Sequence, residues 1–142
     1  MQLVNIYAAE LMDRGSLRVG FPLSSATGTS STAVVLLEFE PGGELAVHTD
    51  SAEELLLVIE GTAEGSVGDD VGRLETGDMA VVPALAPHGL RNVGDGILRV
   101  VGFFPSSTNV AVFEEPLPTG DQVVVVGAPQ PMAAPLAEPI PA

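Results

Sequence analysis

The 142-residue chain contains only two histidines, His48 and His88, and acidic side chains stand close to the first of them. His48 lies in the run Gly42-Gly43-Glu44-Leu45-Ala46-Val47-His48-Thr49-Asp50. Residues two apart on a strand project from one face, so His48 and Asp50 point the same way and can reach a single ion. Glu54 opens the next apolar segment and shares its face with Leu56 and Val58. A carboxylate heading a hydrophobic wall needs a partner. His88 follows Pro83 and Pro87 at the start of a further strand. Two imidazoles and one or two carboxylates converging from three strands suit one divalent metal ion in an octahedral set with open positions. The chain has no cysteine, which removes disulfides, thiolate catalysis and Cys-type zinc sites and leaves His, Asp and Glu as the metal ligands on offer.

The elements that must position these groups are short β-branched segments separated by Gly, Pro and Asp. Strands are predicted at Leu17 to Phe21, Ala33 to Glu40, Leu45 to Thr49, Glu54 to Glu60 and Thr62 to Val67. Further strands are predicted at Met79 to Val82, Gly89 to Val93, Ile97 to Phe104, Val110 to Phe113 and Val123 to Val126. Pro41-Gly42-Gly43 and Gly68-Asp69-Asp70 carry turn chemistry, and Gly94-Asp95-Gly96 reads as the closure of a hairpin. Strands at this spacing predict an all-β sandwich or barrel. A short helix is predicted over Tyr7 to Arg14. From Gly127 onward the chain is Pro- and Ala-rich without a period, giving a barrel with an N-terminal arm over 1–126 and a tail over 127–142.

Hydrophobic residues make up 46% of the chain, enough for one packed domain. The apolar runs are four to seven residues long, far short of the roughly 20 that span a bilayer. No secretory leader pattern is visible, so a soluble, cytoplasmic protein is expected. Nineteen acidic residues stand against five arginines and no lysine, a net charge of −14. Such a charge opposes nucleic acid phosphates and anionic lipid, so neither is an expected partner.

Two blocks of the chain resemble the paired motifs of the cupin family. Gly42, His48, Glu54 and Gly61 match the first motif, G-x5-H-x-H-x3-E-x6-G, with Asp50 in its second histidine slot. Gly77, Pro83, His88 and Asn92 match the second, G-x5-P-x-G-x2-H-x3-N, with Leu85 in place of the middle glycine. The resemblance extends over roughly residues 30 to 105. It implies a double-stranded β-helix, or jelly-roll barrel, with a metal inside, and commonly a homodimer.

The resemblance also implies the ligand set His48, Glu54 and His88, with Asp50 either a fourth ligand or an outer partner. Fe(II) is the favoured ion, and Mn, Ni or Zn would also suit such ligands. The expected function is a metal-dependent enzyme acting on a compact, apolar small molecule, as a non-heme Fe(II)-type dioxygenase or a metal-assisted lyase or isomerase. The alternative is a non-catalytic module that binds a small ligand or a metal. Arg99 behind His48-Thr49-Asp50 also resembles the layout of 2-oxoglutarate-dependent oxygenases, although a solvent-facing or dimer-contacting arginine is the simpler reading. Leu56, Val58, Val81, Leu90, Phe103 and Phe104 are the expected apolar lining.

Overall fold

A computed structural model describes residues 1–127, so the tail predicted from Gly127 to Ala142 lies, beyond Gly127 itself, outside the described residues. Twelve strands run in chain order. They are β1 (Met12–Asp13), β2 (Leu17–Leu23), β3 (Ala33–Phe39), β4 (Glu44–Asp50), β5 (Glu54–Glu60) and β6 (Thr62–Val67). The others are β7 (Asp70–Glu75), β8 (Met79–Val82), β9 (His88–Asn92), β10 (Leu98–Phe104), β11 (Asn109–Phe113) and β12 (Val123–Val126). A 3-10 turn covers Ser25–Thr27. No helix among the described residues is long and apolar enough to cross a membrane.

The strands form two six-stranded antiparallel sheets, ordered β1-β2-β3-β10-β5-β8 and β12-β11-β4-β9-β6-β7. From β3 to β6 and from β7 to β11, successive strands switch sheet, which is the winding of a jelly roll. Alternation explains the packing. On β3, Ala33, Val35, Leu37 and Phe39 face inward, and on β10 Leu98, Val100 and Phe104 do so. Leu56 and Val58 from β5 and Leu90 from β9 complete the same core.

The same alternation turns His48 and Asp50 of β4, Glu54 of β5, His88 of β9 and Asn109 of β11 inward, and all are buried. The barrel thus has an apolar body and one polar patch. Gly61, at the β5–β6 corner, adopts φ +86, and a Cβ there would lie 2.6 Å from the Ile97 carbonyl oxygen. Only glycine tolerates both conditions, so the motif glycine sets this corner.

Most predicted strands are present to within one residue, but three expectations need correction. Residues Tyr7 to Arg14 are not helical. A turn covers residues 6–8, and Met12 and Asp13 pair with Val19 and Arg18. The arm packs so tightly that a Cβ on Gly20 would lie 2.7 Å from both the Glu10 carbonyl oxygen and Leu11 Cδ2, and this docking overrides a weak local period. β7 was not anticipated, because DVGRLE is mostly exposed and carries no hydrophobic alternation. Gly94-Asp95-Gly96 does not close a hairpin: it joins β9 to β10, which belong to different sheets.

The outer face of the first sheet is also apolar. Phe103 pairs laterally with Val34 and Leu55, and Leu55 with Val81. Val101 pairs with Leu36 and Leu57, and Leu57 with Met79. At the end of this face, Glu38 is held between Arg18 at 2.6 Å and Arg99 at 3.1 Å, and Arg99 also pairs with Glu60.

Candidate metal centre

The two histidines face each other across adjacent strands. β4 pairs with β9 so that His48 stands opposite His88, with ring centroids 4.2 Å apart. Phe113 of β11 stacks on the far side of His48 at 4.7 Å. Each ring is oriented in the same way. His48 Nδ1 is 2.8 Å from the Ala46 carbonyl oxygen, and His88 Nδ1 is 2.9 Å from that of Ala86. A carbonyl can only accept, so each Nδ1 carries the proton, and in the neutral ring the Nε2 lone pair is left for a ligand.

Asp50 sits between the two Nε2 atoms. Its Oδ2 is 3.0 Å from His88 Nε2 and 3.6 Å from His48 Nε2. Its Oδ1 accepts a hydrogen bond from Asn109 Nδ2 at 2.8 Å. Glu54 approaches from the opposing sheet, with Oε1 3.4 Å from His88 Nε2. The other Glu54 oxygen occupies the space beside Gly102, where a Cβ would overlap it and lie 2.6 Å from Val35 Cγ1. Gly102 therefore makes room for the carboxylate.

Charge in this pocket is set by burial against close partners. Burial opposes ionisation of Asp50, but the two imidazoles and the Asn109 amide outweigh it and hold the carboxyl far below its usual range. Burial dominates at Glu54 and raises its pKa, with the Asp50 charge adding to the effect. Burial would also lower the pKa of His88, yet the Asp50 and Glu54 carboxylates and the Ala86 carbonyl push it up to about 10. In the protein alone, a proton on His88 supplies the positive charge that the carboxylates demand.

These residues fit a divalent cation. Asp50 Oδ2 and His88 Nε2 are fully buried, lie 3.0 Å apart, and have no other hydrogen-bond partner. A lone buried donor or acceptor costs about 1–3 kcal/mol, and more when charged. A shared cation satisfies both atoms. One ligand atom from each of His48, Asp50 and His88 lies within 4.8 Å of the others, and this group could hold a metal ion. All four residues singled out in the sequence come together, but the close group is His48, Asp50 and His88, and Glu54, expected as a ligand ahead of Asp50, reaches it through His88.

Other expectations fall elsewhere. Arg99 lies outside the barrel on Glu38 and Glu60, so it cannot anchor a substrate at this site in the manner of the oxygenase layout. Leu56, Val58, Leu90 and Phe104 are interior, whereas Phe103 is on the outer face and Val81 is largely exposed at the rim. Asn92, a motif residue, is buried at the end of β9. Its amide donates to the carbonyls of Phe39 and Gly96 and accepts from Gly94 N–H, clamping the corner that follows β9. Asn109 and Gly102 were not anticipated. Asn109 alternates with Ala111 and Phe113, and a polar residue on the buried face of an apolar strand is the signal that marks it.

A cleft of about 340 Å³ reaches His88 between the edge strands β7 and β8. Leu56, Leu74, Leu90 and Val67 provide apolar walls, and the ionisable groups that line it are His88 and Asp70.

Fold and site together define a jelly-roll barrel with inward-facing histidines and carboxylates that could hold a metal ion. Residues 35–104 match the cupin domain family, and the chain carries a cupin domain. A mutant of Bacillus subtilis oxalate decarboxylase superposes with a TM-score of 0.70 at 21% identity, covering 77% of this chain and 31% of that one. The Lactobacillus farciminis oxalate decarboxylase formate complex gives 0.66 at 21% identity, covering 72% and 32%. The Schizosaccharomyces pombe Cnp3 cupin domain gives 0.63 at 16% identity, covering 72% of each chain. The chain thus spans about a third of the decarboxylases, and at these identities the likeness is one of fold. No curated protein sequence matches the chain significantly.

Proposed function

We propose that this cupin domain binds one divalent metal ion through His48, Asp50 and His88, with Glu54 beside it, and is an enzyme acting on a compact, uncharged, mostly apolar small molecule. The observation that carries this reading is the pair of unpartnered, buried atoms, Asp50 Oδ2 and His88 Nε2, facing His48 Nε2 across a space of ligand dimensions. Two imidazoles with carboxylate oxygen favour Fe(II), Mn(II) or Zn over Cu. When bound, such an ion polarises a carbonyl or hydroxyl oxygen, or brings O₂ beside the substrate.

The chain's own groups then divide the work. The walls at Leu56, Leu74 and Leu90 bury the substrate and exclude water. Glu54, whose pKa burial raises, holds or gives up a proton nearer neutrality than an ordinary carboxyl does, which suits general acid–base work in a lyase, isomerase or dioxygenase. No arginine lines the cleft, and the whole chain has no lysine. Asp50 already sets a negative charge beside the ion and the cleft offers no arginine or lysine, so a dianionic substrate such as oxalate would enter without a cationic side chain to receive it.

Purified protein loaded with Fe(II) or Mn(II) should turn over neutral enols, diketones or catechols, read as oxygen uptake or product formation, and should leave oxalate untouched. Turnover of oxalate would overturn the substrate class. Metal binding with ligand uptake but no turnover across the panel would instead support the non-catalytic module.

A further inference from the structure

We infer that Asn109 is a positioning residue that locks Asp50 into a one-oxygen ligand, and that it ties the Asp50 carboxylate to the turn that delivers Glu54. This rests on the proposed metal-binding role of Asp50 and extends it to a residue outside both sequence motifs. Asn109 lies on β11 and only 1% of it is exposed. Its Nδ2 donates to Asp50 Oδ1 at 2.8 Å. Its Oδ1 accepts from Ala52 N–H at 3.2 Å and from the Ser51 hydroxyl at 3.3 Å. Ser51 Oγ in turn accepts from Val110 N–H at 2.9 Å.

The orientation of the amide is not free. A carboxylate can only accept and a backbone N–H can only donate, so a flipped amide would set two acceptors together on one side and two donors on the other. The consequence for Asp50 is directional. With Oδ1 occupied by Asn109, the carboxylate cannot turn both oxygens toward the histidines, and Oδ2 is presented alone, 3.0 Å and 3.6 Å from the two Nε2 atoms. The same amide grips residues 51 and 52, two positions before Glu54, so Asp50 and Glu54 keep a fixed relation across the corner between the sheets. Asp is one methylene shorter than Glu and has less reach than His, and the slot it fills therefore needs an outside group to fix its aim.

The test is a double-substitution cycle read by calorimetric titration with Mn(II). Asn109→Ala should weaken Mn(II) binding by about 10- to 100-fold, the usual effect of removing a group that orients a ligand. In an Asp50→Ala background, the same substitution should change binding hardly at all, because its target is gone. Equal losses in both backgrounds would mean a merely structural role and would overturn the assignment, as would unaltered binding by Asn109→Ala. Should the alanine variant fail to fold, Asn109→Leu keeps the side-chain volume and removes the amide donor. It should weaken binding similarly, and wild-type affinity in this variant would refute the lock. Wild-type protein that takes up no Mn(II), Fe(II) or Zn(II) would overturn the metal reading itself, an outcome distinct from a metal-binding protein indifferent to Asn109.

Discussion

His48 and His88 are 40 residues apart in sequence yet stand directly opposite each other on β4 and β9, both tied by Nδ1 to the carbonyl two residues earlier. This repeated local arrangement turns Nε2 of both rings toward Asp50. The barrel therefore brings together three side chains that could hold one metal ion, each oriented by the protein's own hydrogen bonds or strand pairing.

Removing a member of this set should have graded effects. His48→Ala and His88→Ala are each expected to abolish Mn(II) binding in calorimetric titration. Asp50→Ala should weaken it by at least about 100-fold, because Asp50 faces both imidazoles. Stability should move the other way for Asp50→Asn without metal only if the carboxylate is a burden, whereas the depressed pKa of Asp50 indicates that its charge is stabilised, so this variant should melt lower.

The pH dependence follows from the same cluster. His88 has a folded pKa near 10, above its ordinary 6.5, so in metal-free protein its contribution is full below about pH 6.5 and is lost as pH climbs through 10. Glu54 is also raised, and its contribution likewise fades as pH rises. Asp50 is depressed, and its contribution is present above its ordinary 3.8 and is lost only in strong acid. Metal-free protein should therefore lose stability between neutrality and pH 10. Metal must displace the His88 proton, so affinity should keep increasing with pH over that interval. Thermal melts in chelator and titrations in buffers of different ionisation enthalpy measure the two effects. A metal affinity that does not change between pH 7 and 9 would contradict them.

Gly102→Ala should injure the site from behind. The added methyl overlaps the Glu54 carboxylate and crowds Val35. The expected cost is about 1–3 kcal/mol in denaturant unfolding, typical of overpacking in a closed core. A variant as stable as the parent would mean that Glu54 has room to move away.

Leu85 occupies the slot where the cupin motif places glycine, and its φ of +65 is the left-handed conformation that glycine adopts readily. Its N–H bonds the Asp50 carbonyl oxygen at 2.8 Å, so the backbone is held there by its partner, and the exposed leucine side chain contributes little. Leu85→Gly relieves about 1–2 kcal/mol of steric cost and adds about 0.5–1 kcal/mol of chain entropy. A net gain of up to about 1.5 kcal/mol in unfolding free energy is expected, and a loss would show that the leucine side chain is used.

Much of this arrangement was legible in the sequence because strand alternation and motif spacing are local properties. His48 and Asp50 could be assigned to one shared face of their strand, and Glu54 to the face of Leu56 and Val58. The rank order of the carboxylates could not, because it depends on how far β4 and β5 stand from β9 across the barrel. Asn109 was hidden for a similar reason. Its partner Asp50 is 59 residues away and meets it only through the β4–β11 pairing. β7 was missed because it has no hydrophobic alternation of its own, and the arm was read as helical from a weak local period; pairing with β6 and docking against Gly20 decide their form.

The most direct check on the central claim is the metal content of untagged protein, measured by mass spectrometry after reconstitution with Fe(II), Mn(II), Ni(II) and Zn(II) in turn. One equivalent of at least one of these ions per chain, lost in His48→Ala and His88→Ala, is the expected result. Protein that remains empty with every ion, or that binds equally well without the two histidines, would contradict the claim.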